Sequence, residues 1–349
     1  SVLGGIGIGI AYVCPVATCV KWFPDKRGLI TGLAVMGFGA GAFFFAPLAQ
    51  SLISGSPYTL LNVPLFPMPQ IGVFNTFLSL GLIFLVTVVG GAQLLRNPPA
   101  GYVPAGWQPA ATTQTSAVTK VDYTAMEMLR TPNFWLLWVT FFISCTAGLM
   151  VIMKASPIWQ SFSIGTMSGP IQEDVYIKIA TAGALAVSIL AIFNALSRIL
   201  WGKISDSLGR KSTLIIIAIL CGVTMLMLDW MRVYPLYLLG VSVVGLCFGG
   251  HLALYPALTA DLFGTKHIGA NYGWIFSAFG AGGFAGPYLA ARLMRITGNV
   301  PYLAKDDQGM LVEKIFEVGN YRTAFFVAGV GCLAAAGLTM LIKTDRPSS

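Results

Sequence analysis

Long runs of apolar residues separated by short polar connections dominate this sequence, and they predict a bundle of membrane-spanning helices. Residues 28–95 include no Asp, Glu, Lys or Arg, and several later apolar runs reach the roughly 20 residues that a spanning helix needs. Alternating strands of about ten residues are absent from the pattern, so the spans are expected to be helices and not barrel strands. We predict nine spans, at 2–20, 29–53, 73–95, 134–157, 176–201, 213–228, 234–260, 268–291 and 323–342.

The connections between the spans differ in character. Residues 97–132 are rich in Pro, Ala, Thr and Gln and resemble a linker between two halves. Residues 54–70 form a charge-free, Pro-rich loop, and residues 297–321 are predicted to be a polar surface loop.

An internal repeat explains the odd number of spans. Pro15 and Pro256 are 241 residues apart, and several further pairs share this offset: Gly28 with Gly269, Gly32 with Gly273, Phe38 with Phe279, Gly39 with Gly280, and Gly41 with Gly282. The repeating unit is therefore six helices in parallel orientation, as in transporters built from two similar halves. We expect an all-α membrane protein in which nine of twelve helices are present, the first three being absent from the N-terminus. Its predicted parts are a partial N-terminal half (1–96), a cytoplasmic linker (97–132) and a C-terminal six-helix half (133–349).

Composition supports an integral membrane protein and excludes several other classes. Of the 349 residues, 56% are hydrophobic and only 10% are charged, which is not the composition of a soluble domain. The net charge of +8 comes from residues scattered at span ends, so we attribute it to membrane orientation and expect no nucleic-acid partner. The six cysteines have neither metal-site nor disulfide spacing, and no metal or cofactor is expected.

Arg198 is the charge that most needs an explanation. If Asp206 marks the membrane surface, Arg198 lies about 12 Å deeper, where the hydrocarbon half-thickness is roughly 15 Å. Charges at this depth usually face a protein interior or a water-filled cavity and indicate a functional site. Asn194 lies one turn earlier on the same face of the helix. The alternative is an arginine whose side chain extends to the cytoplasmic surface.

The loop GKISDSLGRK (202–211) resembles the G-x-x-x-D-x-x-G-R-K loop of the major facilitator superfamily. Gly202 and Gly209 permit close packing and a tight turn, and Asp206 suits a helix N-terminus. The resemblance implies that Arg210 pairs with Asp261, that Asp206 faces the start of span two near Gly28, and that this cluster is a latch between the halves. The alternative is a solvated turn carrying positive charges.

Four blocks are similar to the oxalate/formate antiporter family within that superfamily: KWFPDKRGLITGLAVMGFGAGAFFFAPL (21–48), MLRTPNFWLLWVTFF (128–142), FNALSRILWGKISDSLGRK (193–211) and YPALTADLFGTKHIGANYG (255–273). The resemblance implies a multi-pass protein of a cell membrane, expected to be the bacterial inner membrane, that works as a monomer. It also implies that Arg198 binds the substrate carboxylate, a role that suits a planar bidentate donor.

The same resemblance implies the wall of a substrate cavity. Tyr12 matches a substrate-contacting tyrosine, Phe38 and Phe248 match aromatic positions, and Leu252 replaces a tyrosine. Phe279 stands where the oxalate exchanger has a second cation, a lysine. A dianion would lose one counter-charge here, so the pocket better suits an anion with an alkyl or aryl part. Without the resemblance, each aromatic residue is explained by helix packing.

Two further ionisable residues are candidates. Lys154 lies near the outer end of the fourth span. Pro157 would break that helix and turn the Lys154 ammonium inward, where it would replace the lysine that is absent at Phe279. The alternative is that Lys154 extends to the outer surface. His251 lies within span seven and either titrates near neutral pH or is a hydrogen-bonded structural residue.

The sequence therefore predicts a secondary transporter that moves small carboxylates by alternating access. The alternative is a proton-coupled monocarboxylate symporter of the lactate or pyruvate type, with Lys154 or His251 as the protonated group. A channel or receptor is disfavoured by the six-helix repeat. An enzyme is disfavoured because no nucleophile–base set or pair of intramembrane acids is found.

Overall fold

The computed structural model describes residues 2–24, 26–55, 57–60, 63–99, 102, 122–167, 169–305 and 311–343. Within these ranges the side chains of residues 2–6, 38–40, 42, 43, 46, 54, 59, 60, 304 and 305 lie outside the description. The helices are α1 (Val2–Trp22), α2 (Arg27–Ser54), α3 (Gly72–Leu94), α4 (Ala125–Leu129), α5 (Pro132–Ile152), α6 (Ala155–Ile164), α7 (Glu173–Leu208), α8 (Arg210–Met227), α9 (Tyr234–Phe263), α10 (Ile268–Leu293) and α11 (Arg322–Met340).

Each predicted span overlaps a long helix, with α5 and α6 together accounting for the fourth. In the described part of the chain, six helices are long and apolar enough to cross a membrane: α3, α5, α7, α8 with the 3-10 turn after it, α9 and α11. On α3 only Thr76 and Leu80 are buried, so this helix presents most of its apolar side chains outward, as a lipid-facing helix does.

The fourth span is broken between Ile152 and Ala155, close to the position expected from Pro157. Pro157 has no N–H to donate to the carbonyl of Met153, and its ring would clash with that carbonyl in a continuous helix. In the structure Pro157 lies in the first turn of α6, where its missing donor needs no partner. Lys154 immediately precedes α6 and is half-buried.

Two paired β-strands occupy most of the described residues between 295 and 321, and the prediction of a surface loop at 297–321 was wrong there; residues 306–310 lie outside the described residues. Strands β3 (Arg295–Lys305) and β4 (Leu311–Asn320) pair antiparallel. Alternate residues of the hairpin are apolar, and they pack against Ile164, Ile171 and Ile179 in a small separate core. Ile171 also donates to the Pro301 carbonyl and accepts from the Leu303 amide, both at 2.9 Å. The connection after α2 likewise contains a short antiparallel pair, β1 (Tyr58–Leu60) and β2 (Val63–Phe66).

The main core lies where α7 is in contact with α2 on one side and α9 on the other. Glycine makes the first contact possible: a Cβ at Gly32 would collide with the carbonyl of Arg198, and one at Gly202 with the carbonyl of Gly28. At α9, a Cβ on Gly249 would collide with the carbonyl of Asn194. Small residues allow helix backbones to approach closely, and here they bring α2 and α9 against the face of α7 that carries Asn194 and Arg198.

Candidate anion site and latch between α2 and α7

Arg198 is buried at the contact between α2 and α7, with 1% of its surface exposed. Its Nη1 donates to the carbonyl of Val35 on α2, and its Nη2 donates to Oδ1 of Asn194 at 3.2 Å. Its buried Nε makes no hydrogen bond. Among the ion pairs of the described residues, none involves Arg198. The guanidinium is therefore held in place by two neutral oxygens, and no carboxylate of the described residues pairs with its charge.

Aromatic residues of α1 and α10 lie beside this guanidinium. Tyr12 and Tyr272, whose ring centroids are 6.4 Å apart, are both within electrostatic range of Arg198. Phe276 stacks on Tyr12 with centroids 4.4 Å apart and on Phe279 at 4.9 Å. The structure thus brings the predicted residues Tyr12 and Phe279 into one aromatic layer with Tyr272 and Phe276.

Sequence reasoning missed Tyr272 and Phe276. The signal that would have found them is their spacing: residues 272, 276 and 279 recur at i, i+4 and i+7, which places them on one face of α10. On that face, the family resemblance points only to Phe279, the position of the absent lysine.

The other predicted aromatic positions are less uniform. Phe248 is buried and its ring lies against Gly148 of α5, with its centroid 6.4 Å from that of Phe279. Leu252 is buried in the main core. The side chain of Phe38 lies outside the described residues.

Lys154 and His251 are not brought to Arg198. Helix α6 packs on α7 where Ser156 meets Gly183, which is 15 residues before Arg198 and so about 22 Å away along the helix axis. This separation exceeds the reach of the nearby Lys154 side chain. His251 is buried within α9, its ring 6.1 Å from that of Tyr255, and the Tyr255 hydroxyl donates to Thr140 Oγ1 of α5 at 2.9 Å.

A cluster of four charged residues, which we call the latch cluster, joins α2, α7, α8 and α9 at the end of the bundle where α2 begins and α7 ends. Asp206 accepts from the backbone amides of Gly28 and Leu29, both at 3.1 Å, and pairs with Arg210 at 3.0 Å. Arg210 Nε also lies 3.0 Å from Asp261 Oδ2, while Arg27 Nη1 lies 2.9 Å from Asp261 Oδ1.

Both contacts expected for this loop, Arg210 with Asp261 and Asp206 with the start of the second span, are present. Gly209 has φ of +85° in the tight turn between α7 and α8, and Gly202 provides the close backbone contact with Gly28. Arg27 was missed by the sequence analysis. It is the only member of the cluster on α2 and connects that helix to α9 through a side-chain ion pair.

An open cavity of about 620 Å³ lies between α1 and α10, and its lining includes Val13, Cys14, Gly273 and Phe276 but not Arg198. Because Phe276 both lines this cavity and stacks on Tyr12, the aromatic layer connects the cavity to the surroundings of Arg198. No group of His, Cys, Asp and Glu suited to a metal ion is found among the described residues.

A family model of the Major Facilitator Superfamily matches residues 155–349, which is more than half of the 349 residues. The chain belongs to the Major Facilitator Superfamily. This confirms the expected fold class. It also supports the expectation that the protein is not an enzyme, because the relatives described below are an antiporter, a carrier and a symporter.

Several relatives refine this placement. The "Oxalate:formate antiporter" of Oxalobacter formigenes is 30% identical over 83% of this chain and 61% of its own length. The "Apicoplast pyruvate carrier 1" of Toxoplasma gondii is 28% identical over 85% of the chain and 59% of its own length. The crystal structure of the Escherichia coli fucose:proton symporter is similar with a TM-score of 0.60 at 13% identity, covering 97% of this chain and 74% of the symporter chain. The chain thus spans about three fifths of the length of these two curated relatives and resembles the oxalate/formate antiporter branch of the superfamily.

Proposed function

We propose that this protein is a secondary transporter that moves small organic carboxylates by alternating access, with Arg198 as the anion-binding residue. The observation that carries the proposal is the burial of the Arg198 guanidinium between α2 and α7 with a free Nε and no carboxylate partner among the described ion pairs. A buried, unpaired cation is costly. A substrate carboxylate would remove that cost, and Asn194 orients the guanidinium to receive it.

The latch cluster supports the alternating-access part of the proposal. In this arrangement α2, from the proposed N-terminal half (1–96), is tied to α7, α8 and α9 of the proposed C-terminal half (133–349), so the end assigned to the cytoplasm is closed. Opening that end requires the Arg27–Asp261 ion pair and the Asp206 contacts to α2 to break. A substrate that neutralises Arg198 reduces the charge at the moving interface, which favours movement of the loaded carrier over the empty one.

The surroundings of Arg198 favour monocarboxylates, or anions with an alkyl or aryl part, over oxalate. Two tyrosines lie within electrostatic range of the guanidinium and two phenylalanines continue their aromatic layer, and a phenylalanine stands where a second cation would bind a dianion. An aromatic wall binds an apolar substituent, and a single arginine matches a single carboxylate.

Proton-coupled symport of a monocarboxylate is the second candidate, and the names of two relatives favour a monocarboxylate. One is the pyruvate carrier, and another is "Monocarboxylate transporter 12" of Xenopus laevis, 24% identical over 98% of this chain and 68% of its own length. In this version His251 or Lys154 exchanges the proton. Because neither residue lies at Arg198, its protonation would act on the site through helix movement. Substrate-induced alkalinisation of the outer medium would favour symport, and uptake that depends on a trans anion would favour exchange.

The test replaces Arg198 in the complete protein reconstituted into liposomes. Arg198→Gln should reduce carboxylate uptake at least a hundredfold, and Arg198→Lys should restore part of it because the charge returns without the bidentate geometry. Arg322→Gln is the matched control, because it removes the same charge from an exposed residue. Competition by a panel of mono- and dicarboxylates would identify the substrate class. Uptake by Arg198→Gln equal to that of the control would reject the proposal.

We further propose a location in a cell membrane, the bacterial inner membrane in particular, and a monomeric functional unit, as expected for this branch of the superfamily. Residues 97–132 would then form the cytoplasmic connection between the halves.

A further inference from the structure

We infer a second anion site, separate from Arg198, in a cavity at the end of the bundle that carries the latch cluster, and we propose that it binds a phosphate group. The cavity has a volume of about 380 Å³ and is lined by Lys21, Arg27, Tyr102, Thr265 and Lys266 among others. This volume lies within the range of small-ligand pockets. The inference does not depend on the role proposed for Arg198, because it concerns different residues, at the start of α2 and outside the contact that Arg198 makes with Val35.

The charges of the lining carry the inference. Three cationic side chains, from the end of α1, the start of α2 and the α9–α10 connection, line one cavity, and no acidic side chain belongs to the described lining. Asp261 balances Arg27, but it is shared with Arg210. Lys21 donates to the neutral Oδ1 of Asn97 at 3.4 Å. The Asp122 carboxylate accepts from the backbone amide of Lys266 at 3.1 Å, but neither lysine side chain takes part in the ion pairs of the described residues. Two positive charges in the lining are therefore uncompensated by any ion pair within that part of the chain.

Arg27 supplies an independent indication of a ligand. Only 6% of this residue is exposed, and its buried Nε makes no hydrogen bond. Its Nη1 is already engaged with Asp261, so a residue that lines the cavity carries a donor with unused capacity. A buried donor without an acceptor is costly, and an oxyanion that accepts from Arg27 would remove that cost. Thr265 adds a hydroxyl donor to the same wall.

The position of the cavity explains why a phosphate group is the expected anion. Trp22 donates from Nε1 to the Arg96 carbonyl at 2.7 Å and packs edge-on against Tyr102 at 4.8 Å. Trp and Tyr are enriched at the level of lipid headgroups, and lysines at that level attract anionic phosphate. A phospholipid headgroup and a free phosphate compound from the cytoplasm present the same chemistry to this cavity.

Phosphate bound in this cavity would favour the closed arrangement held by the latch cluster. Lys21 and Arg27 flank the α1–α2 connection, whereas Thr265 and Lys266 belong to the α9–α10 connection. A phosphate that contacts both sides adds attraction across the interface closed by the Arg27–Asp261 ion pair. It would therefore stabilise the closed state by mass action without occupying the carboxylate site.

The test measures thermal unfolding of the complete protein in a neutral detergent with inorganic phosphate or with chloride at equal ionic strength, and then in phosphatidylcholine vesicles with or without phosphatidylglycerol. The variant Lys21→Gln/Lys266→Gln removes the two uncompensated charges and leaves Arg27 and the latch cluster intact. The matched control Lys203→Gln/Lys343→Gln removes the same charge from exposed residues at the same end of the bundle.

We expect phosphate or phosphatidylglycerol to raise the unfolding temperature of the wild type and the control, and the apparent affinity to fall at least tenfold in Lys21→Gln/Lys266→Gln. A response to inorganic phosphate identifies a free phosphate compound, and a response only to phosphatidylglycerol identifies a lipid headgroup. Equal stabilisation of the double variant and its control would overturn the inference. So would the absence of stabilisation in both experiments, by inorganic phosphate relative to chloride and by phosphatidylglycerol relative to phosphatidylcholine alone. If the double variant does not fold, Lys266→Gln alone, compared with Lys203→Gln, applies the same criterion, because Lys266 is exposed.

Discussion

The contact between Gly32 of α2 and the backbone of Arg198 on α7 should control how firmly the bundle closes. A Cβ at Gly32 would collide with the Arg198 carbonyl oxygen and lie 2.7 Å from its carbonyl carbon, whereas carbon atoms in contact prefer about 3.5–4.0 Å. The obstructing atoms are backbone and not the end of a flexible side chain. Gly32→Ala therefore requires α2 and α7 to separate by about 1 Å in the closed state.

The cost follows from this displacement. Inserting a methyl group into a well-packed contact costs typically 1–3 kcal/mol, and a change of that size shifts an equilibrium about 5- to 150-fold. Separation of the helices would also move the Val35 carbonyl away from Arg198 Nη1. We expect Gly32→Ala to reduce the population of the closed state by that factor and to weaken substrate binding in that state.

Thiol labelling measures the closed population directly. Ser205 is fully buried and its Oγ would lie 2.7 Å from a Cβ at Gly28, so it is covered only while α2 and α7 are in contact. In a Ser205→Cys background lacking the native cysteines, a membrane-impermeant maleimide should react with the introduced thiol faster when Gly32→Ala is added.

Gly337→Ala is the control for the glycine replacement. Gly337 is exposed on α11, and nothing lies within 4 Å of the position that an added Cβ would occupy. Like Gly32→Ala, this replacement raises helix propensity by about 1 kcal/mol. Equal labelling rates for Gly32→Ala and Gly337→Ala would show that the α2–α7 contact does not control opening.

Two further changes test the latch cluster and the aromatic layer. Asp261→Asn removes the ion pairs with Arg27 and Arg210 and should cost about 1–3 kcal/mol of closed-state stability, so maleimide labelling at position 205 should become faster. The control Asp229→Asn loses the local pair with Arg232 and should not change the labelling rate. Equal labelling rates for the two variants would contradict the role of the latch cluster. Phe279→Lys introduces a second cation into the aromatic layer and should improve competition by oxalate over a monocarboxylate at least tenfold relative to the neutral variant Phe279→Gln. An unchanged ratio would show that position 279 does not select for charge.

The sequence alone predicted where the long helices lie, because a spanning helix is defined by a local run of apolar residues, but it did not give their limits: α7 (Glu173–Leu208) continues beyond the span predicted at 176–201. The loop at 202–211 likewise indicated the contacts of Asp206 and Arg210, since its residue types and spacing are local and resemble those of a known family. The helix break near Pro157 could also be predicted from the local sequence, because one missing N–H and one steric clash are sufficient to cause it. The prediction failed at 297–321. Apolar residues alternate with polar ones there, as in a strand, but the alternation lies in a polar stretch, and its apolar side chains are buried only because they pack on the core around Ile171.

Only the tertiary structure decided which helix faces meet. Tyr272 and Phe276 join Tyr12, and Arg27 becomes the partner of Asp261, through contacts between residues more than 230 positions apart. Lys154, by contrast, lies near the point where α6 meets Gly183 of α7, about 22 Å along the helix axis from Arg198, although its sequence context suggested a role at the site. The physical reason is that hydrophobicity places a residue in a helix, whereas the rotation of that helix and its neighbours are set by packing. Here the packing depends on glycines at 28, 32, 202 and 249, which let particular backbones touch.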